Sequence, residues 1–130
     1  MLKSLILCLS ILLPALSVSA TTLKIATLAP DGTSWMKIMR EGATEVEQQT
    51  NGRVKIRFYP GGVMGNDNSV LRKIRVGQLH GGAITAGGLS SVYPDIQIYS
   101  LPFLFRSFEE VDYVRERFDL VLIKGLQENG

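Results

Sequence analysis

Cysteine is nearly absent from this chain of 130 residues: the only one, Cys8, lies within the first twenty. The remainder therefore has no disulfide, no thiol nucleophile and no cysteine-type metal site. Histidine is as scarce. His80 has no histidine or cysteine to join it, so a zinc site would need carboxylates for its other ligands, an uncommon choice. An edge or structural role suits His80 better. No G-x-S-x-G elbow, no G-x-x-x-x-G-K-[ST] loop and no G-x-G-x-x-G turn occurs, which removes the usual nucleophile turn and the usual phosphate cradles. No excess of one charge is present either. The formal net charge of +2 and the lack of a basic run argue against nucleic acid and against an anionic membrane surface as partners. The paired Glu109-Glu110 falls at a helix start, where the helix dipole accounts for it. With no reactive constellation and no cofactor motif, a secreted chain of this kind leans toward binding rather than catalysis.

What is present begins with a leader. Lys3 supplies a short positive region, Leu5 to Leu13 is almost wholly apolar, and Val18-Ser19-Ala20 offers small residues at cleavage spacing. Residues 1–20 read as a secretory signal peptide cleaved after Ala20, too short and wrongly flanked for an anchor. Cys8 comes too early in the apolar run for a lipoprotein box. Cleavage removes Lys3 and leaves a net charge of +1 (+2 less one). The body, 21–130, is one domain's worth of chain. With 45% hydrophobic and 20% charged residues overall, it is globular.

Its pattern alternates. Leu23 to Leu28 reads as a strand, and Ala29 to Ser34 as a loop in which Asp31, Thr33 and Ser34 can each cap a helix. The helix places Trp35, Ile38, Met39, Gly42 and Val46 on one face, with Glu41, Glu45 and Glu47 on others, and Asn51-Gly52 stops it. Trp35 either packs in the core or offers its ring for stacking on a ligand. Val54 to Tyr59 is a second strand, ended by Pro60-Gly61-Gly62. Asn66, Asp67 or Ser69 caps a short helix with Val70, Leu71 and Ile74 inward, Arg72, Lys73 and Arg75 mainly in solvent, and Gly77 after its end. The stretch Leu79 to Asp95 opens as a third strand and runs into Ala86-Gly87-Gly88. Ile96 to Phe105 reads as a chain crossing the core and leaving it at Leu101-Pro102-Phe103. Ser107-x-x-Glu110 is a capping box opening a helix with Val111, Val114 and Phe118 inward, followed by a second helical piece over Leu120 to Gln127.

Strand, helix, strand, helix, strand at these lengths predicts an α/β fold with a parallel sheet. All strand carboxyl ends then share one edge, where open α/β sheets bind ligands. The loops Ala29–Ser34, Pro60–Gly65 and Thr85–Ser90 fall on it. Two of them supply the candidate ligand-binding residues: Asp31, Thr33, Ser34 and Trp35 after the first strand, and Thr85, Ala86, Gly87 and Gly88 after the third. A glycine pair at a strand end lets a ligand approach the main chain closely.

The order and spacing of several short pieces resemble a known family. Leu23-Lys24-Ile25-Ala26, the helix from Trp35, Asn51-Gly52-Arg53-Val54-Lys55-Ile56, Phe58-Tyr59-Pro60-Gly61-Gly62, Met64-Gly65-Asn66-Asp67, Gly77-Gln78-Leu79, Tyr93-Pro94-Asp95 and Leu101-Pro102-Phe103-Leu104-Phe105 together cover nearly all of residues 21–130. They resemble the N-terminal part of the solute-binding receptors of tripartite ATP-independent periplasmic (TRAP) transporters, of the dicarboxylate-receptor type. The resemblance implies the first lobe of a two-lobed periplasmic receptor, with no catalytic role and no cofactor or metal. Such a receptor captures a small organic acid and hands it to membrane-embedded transporter subunits. It also implies a truncated chain, since such receptors are more than twice as long and their main carboxylate-clamping arginine would lie beyond Gly130. Neither Arg72 nor Arg106 matches that arginine. Several relatives carry a charged or amide side chain where this chain has Thr85 and Gly88. That difference implies more room, and a ligand other than a sialic acid, bulkier or held by backbone N–H groups. Two other classes fit the bare pattern: a piece of a secreted α/β enzyme, or a sensory input protein presenting its ligand to a membrane kinase.

Overall fold

The structure, a computed structural model, describes residues 20–130. The expected leader, apart from Ala20, lies outside them. In chain order the elements are β1 (Thr21–Thr27), α1 (Ser34–Gln49), β2 (Val54–Tyr59), α2 (Asp67–Arg75), β3 (Gly81–Ala83), a single helical turn α3 (Ala86–Leu89), a 3₁₀ segment (Pro94–Ser100) and the long α4 (Phe108–Asn129). The sheet is parallel throughout, in the order β2-β1-β3. β1 pairs with β2 from Thr21↔Val54 to Ala26↔Tyr59, and with β3 from Ile25↔Gly81 to Thr27↔Ala83. It starts two residues before the apolar alternation because Thr21 and Thr22 join the ladder; the Thr21 N–H donates to the Arg53 carbonyl at 2.8 Å.

The two long crossovers lie on opposite faces. Ala43 and Thr44 of α1 border the same groove as Ile56 and Phe58. Val70 of α2 sits instead against Ala26, packed with Tyr59 and Leu79 on the other face. Alternation in β2 sends Phe58 and Tyr59 to opposite sides, so each helix takes one side of the sheet. β3 is bare of large side chains for a steric reason. A Cβ on Gly82 would lie 2.8 Å from Val70 Cγ1 and 3.3 Å from the Ala26 carbonyl, so only glycine lets α2 settle this close.

Each helix start carries a side-chain cap. Thr33 Oγ1 accepts from the Met36 N–H, Asn66 Oδ1 from that of Ser69, Thr85 Oγ1 from that of Gly88, and Ser107 Oγ from that of Glu110. The Glu110 carboxylate closes a variant of the expected box, accepting from the Arg106 N–H rather than from Ser107. In α1 the inward face is turned from the one expected. Met36 is fully buried, with Met39, Ala43 and Val46 half-buried behind it, while Ile38 is 65% exposed. Met36, Met39, Ala43 and Val46 recur at helical spacing, and this stripe, rather than the one through Ile38 and Gly42, turns inward where α1 packs on β2.

Past β3 the expectations fail in two places. Ile96 to Phe105 does not cross the core: it forms the 3₁₀ segment and then a turn at Pro102–Phe103, where Phe103 takes a positive φ of 62° and is 99% exposed. Among the described residues no further strand offers it a sheet to cross. Residues 108–129 form one helix rather than two pieces, and its buried positions are Leu122 and Gly125, not Phe118. Gly125 makes room for the Tyr93 ring, whose atoms stand 2.4 Å from where a Cβ would be. The Tyr99 hydroxyl donates to Asp119 Oδ1 at 2.7 Å and links the 3₁₀ segment to α4. Burial, with the hydrogen bond to the Asp119 carboxylate, pushes the Tyr99 phenol up to about 12.

Two outcomes follow from this packing. Gly82→Ala should destabilise the chain by about 1–3 kcal/mol through overpacking under α2, read as a lower urea midpoint at unchanged slope. Tyr99 holds its proton more tightly folded than unfolded, so the stability it contributes is fully present below pH 10 and is lost as the pH rises toward about 12. Tyr99→Phe should remove that alkaline loss from the urea midpoint measured against pH. An unchanged alkaline slope in the variant would show that other groups cause it.

Candidate functional site

The strand order creates a crevice. From β1 the chain moves to one side to make β2, then returns across β1 to make β3 on the other. Neighbouring strands β1 and β3 therefore feed loops that leave in opposite directions, the topological switch point at which open α/β sheets bind ligands. A hollow of about 240 Å³ lies there, lined by Thr27, Leu28, Ala29 and Trp35 on the β1 side and by Ala83, Ile84 and Thr85 on the β3 side.

Its walls are tied down from below. Thr27 is buried, and its Oγ1 accepts from the Ala29 N–H at 3.1 Å. The Thr27 and Ala29 carbonyls accept from the N–H groups of Gly62 (3.1 Å) and Gly61 (2.8 Å), so the turn after β2 holds the loop after β1. On the β3 side, Thr85 is the knot. Its hydroxyl donates to Asp67 Oδ2 at 2.6 Å, its N–H points to the same oxygen at 3.4 Å, and its Oγ1 accepts from the Gly88 N–H at 3.0 Å. Asp67 occupies the first turn of α2, where a carboxylate is also favoured by the helix dipole.

The eight expected site residues divide accordingly. Trp35 and Thr85 line the hollow, and Trp35 is 42% exposed, neither wholly core nor wholly free. Thr33 caps α1, and Ser34 is the first residue of that helix, exposed. Asp31 faces Arg40, whose Nη2 lies 2.9 Å from its Oδ1, and the guanidinium together with the Gly32 N–H holds the Asp31 carboxyl below its ordinary range. Ala86, Gly87 and Gly88 do not continue the strand as open chain; capped by Thr85, they turn into α3. The extra room expected over Gly88 is filled: a Cβ there would stand 2.4–2.6 Å from the Asp67 side chain. Its N–H is already taken by Thr85. Thr27, Leu28, Ala29, Ala83 and Ile84 were not among the expected residues, although Ala29 opens one of the two expected loops. Their signal was the strand order, which puts the last residues of β1 beside those of β3.

Among the described residues no ionisable side chain lines the hollow. It offers an aromatic ring, aliphatic surface and two threonines. Two larger hollows, about 400 and 550 Å³, lie between the 3₁₀ segment and α4, with Ile98, Leu101, Phe105, Val114 and Phe118 among their lining. Among the described residues, neither is lined by a strand or by the loops after β1 and β3. Among the described residues no group of three histidine, cysteine or acidic side chains is placed to hold a metal ion. His80 sits at the far end of β3, its Nδ1 accepting from the Lys24 N–H at 3.1 Å while its own N–H donates to the Lys24 carbonyl at 2.9 Å.

Residues 25–123 match the profile of the bacterial extracellular solute-binding proteins, family 7, the DctP family. A TRAP periplasmic solute-binding protein of Ochrobactrum anthropi, with a C-terminus bound in its ligand-binding pocket, superposes with a TM-score of 0.76 at 32% identity over 87% of this chain and 36% of that one. DctP7 of Bordetella pertussis, an extracytoplasmic solute receptor binding pyroglutamic acid, gives a TM-score of 0.75 at 25% identity over 85% of this chain and 37% of that one. The sialic acid-binding periplasmic protein SiaP of Vibrio cholerae is 24% identical over 110 residues, 85% of this chain and 33% of SiaP. The chain thus spans about a third of the length of these relatives.

The knot at Thr85 is open to test. Gly88→Ala should push the Asp67 carboxylate off Thr85, and Thr85→Val should remove both of its side-chain hydrogen bonds. Each should cost about 1–3 kcal/mol in urea unfolding, Thr85→Val also shifting the Gly88 amide resonance and Gly88→Ala that of Thr85. If Gly88→Ala leaves the Thr85 amide resonance and the midpoint unchanged, the contact with Asp67 is not as described.

Proposed function

The chain belongs to the family 7 bacterial extracellular solute-binding proteins, and on that premise we propose that it supplies one wall of a periplasmic receptor that captures a small organic acid for a TRAP-type transporter. The observation that carries this reading is the position of the hollow at the β1–β3 switch point, the place where this architecture binds small molecules. The ligand-binding residues we assign are those of the two loops: Thr27, Leu28, Ala29 and Trp35, with Ala83, Ile84 and Thr85. Asp31, Thr33, Ser34, Ala86, Gly87 and Gly88 act in support, shaping the loop after β1 and the turn after β3. The role is binding, not catalysis.

The chemistry of the wall divides the work of recognition. A carboxylate needs a cation or several fixed N–H donors. This hollow has no cation, so the acid group of the ligand faces the opposite wall, which the longer relatives have the length to supply. The Trp35 ring, Leu28 and Ile84 receive the less polar body of the ligand, and the Thr85 hydroxyl orients it. Closure of two walls on the ligand then completes the contacts, the binding free energy offsetting the cost of closing. The membrane-embedded subunits of the transporter are the partners this reading implies, and the periplasm, reached through the leader at 1–20, is its compartment.

One wall should bind feebly. Succinate, pyroglutamate and D-galacturonate titrated into this chain should give millimolar dissociation constants in calorimetry. The accompanying amide shifts should be confined to residues 27–29, 35 and 83–85, with pyroglutamate ahead of the polyhydroxylated acid. Micromolar binding, or shifts centred on α4 instead, would refute the assignment of this hollow as half a site.

A further inference from the structure

The modest net charge conceals a separation of charge. Residues 50–80 contain Arg53, Lys55, Arg57, Arg72, Lys73 and Arg75 against one acid, Asp67, while most of the other acids lie in α1 and α4. No basic run is visible along the chain, because Lys55 and Arg57 alternate with apolar residues and Lys24 is far away in sequence. Register brings them together. Lys24 of β1 stands directly beside Arg57 of β2, and Thr22 beside Lys55, on the face of the sheet that carries Ala26, Tyr59 and α2. The segment that leaves α2 runs beside Lys24: the His80 N–H bonds to the Lys24 carbonyl, and Arg75 and Val76 lie four to five residues before it, at the exposed end of α2.

Several of these cations are engaged. Lys55 pairs with Glu47 at 3.1 Å, the Lys73 ammonium donates to the Met64 carbonyl at 2.8 Å, and Arg53 and Arg72 bond to Thr50 and Ser69. Lys24, Arg57 and Arg75 are exposed and form no ion pair among the described residues. Like charges side by side on one strand face are a cost to folding, not a gain. Arg57 relieves it only by lying over the Tyr59 ring at 5.2 Å.

We propose that this basic face, centred on Lys24, Arg57 and Arg75, docks the protein on an anionic phospholipid surface. Two features favour lipid over an acidic protein. The three free cations come from three elements and are fixed by no carboxylate partner, which suits diffuse surface charge better than a matched set of acids. Val76, next to Arg75 at the end of α2, is 69% exposed, an apolar tip that the headgroup region accommodates. Attachment is peripheral, as no helix among the described residues is long and apolar enough to cross a membrane. The inference stands apart from the solute hollow, which lies at the carboxyl edge of the sheet.

Cosedimentation with vesicles of equal parts phosphatidylglycerol and phosphatidylcholine tests it. The chain should bind these and not vesicles of pure phosphatidylcholine, with affinity falling as salt rises. Replacing Lys24, Arg57 and Arg75 together by Gln should weaken binding roughly a hundredfold, about fivefold per cation. The control triple Lys37→Gln, Arg106→Gln, Lys124→Gln removes as much charge elsewhere and should change it less than twofold. If the first triple variant loses its far-UV circular dichroism, Arg75→Glu alone, at an exposed helix end, should still weaken binding more than tenfold. Equal losses in the two triples, no binding to the anionic vesicles, or tighter binding to poly-glutamate than to vesicles would each overturn the proposal, the last in favour of an acidic protein partner.

Discussion

The structure depends on β1 being hydrogen-bonded along both edges. A strand with neighbours on two sides must receive the chain once from each, and two parallel neighbours require two crossovers. The crossovers α1 and α2 lie on opposite faces, and both faces of β1 are covered at its carboxyl end, where Ala26 and Thr27 are the buried residues of the strand. The reversal of direction at β1 leaves the gap between the loops after β1 and β3. The hollow is thus a consequence of topology before it is a matter of side chains. Its lining can vary without moving it.

Rigidity in that hollow comes from loops holding loops. The turn after β2 donates two backbone hydrogen bonds to the loop after β1, and the first turn of α2 holds the turn after β3 through Asp67 and Thr85. Each wall is therefore fixed by an element that follows a different strand, so the edge behaves as one unit. Small residues make this possible: Gly82 lets α2 approach the sheet, and Gly88 lets Asp67 approach α3. An arrangement made in advance loses less conformational entropy when a ligand arrives.

The sequence was most legible where pattern and punctuation agree. Val54–Tyr59 alternates between turn-formers and forms β2 over those same residues, and Asn66 and Ser107 cap the helices they precede. The parallel sheet, the common loop edge and the family resemblance all followed from such segments. It was least legible where tertiary contact overrides a local rule. The inward face of α1 runs through Met36 and Ala43 rather than Ile38 and Gly42, because packing on β2 sets its rotation. Ala86-Gly87-Gly88 looked like open chain, since glycine is a poor helix former, yet the Thr85 hydroxyl and the Asp67 carboxylate organise it into a turn of helix. No local signal in Gly88 announces a carboxylate brought from 21 positions earlier in the chain. The apolar run after Pro94 looked like core because hydrophobicity alone cannot say which partner covers a residue. Of the site, the two loops were readable, whereas the strand-end residues Thr27, Leu28, Ala83 and Ile84 needed the strand order.

Charge and shape are separated on this molecule, and the separation bears on recognition. Lys24 and Arg57 lie on the sheet face that α2 packs against, and neither they nor Arg75 line the hollow. They can only shape the field in which an anion or an anionic surface approaches. The hollow itself is neutral, and an uncompensated carboxylate buried against Leu28, Trp35 and Ile84 would be costly. This wall therefore contributes little to telling an acid from a neutral molecule. If the hollow receives the ligand as proposed, what it discriminates is the body attached to the acid: its width against the Trp35 ring, its apolar surface against Leu28 and Ile84, and a hydroxyl or amide placed toward Thr85. On the proposed reading, substitutions at these positions would alter which acid is preferred while leaving the requirement for an acid to the facing wall.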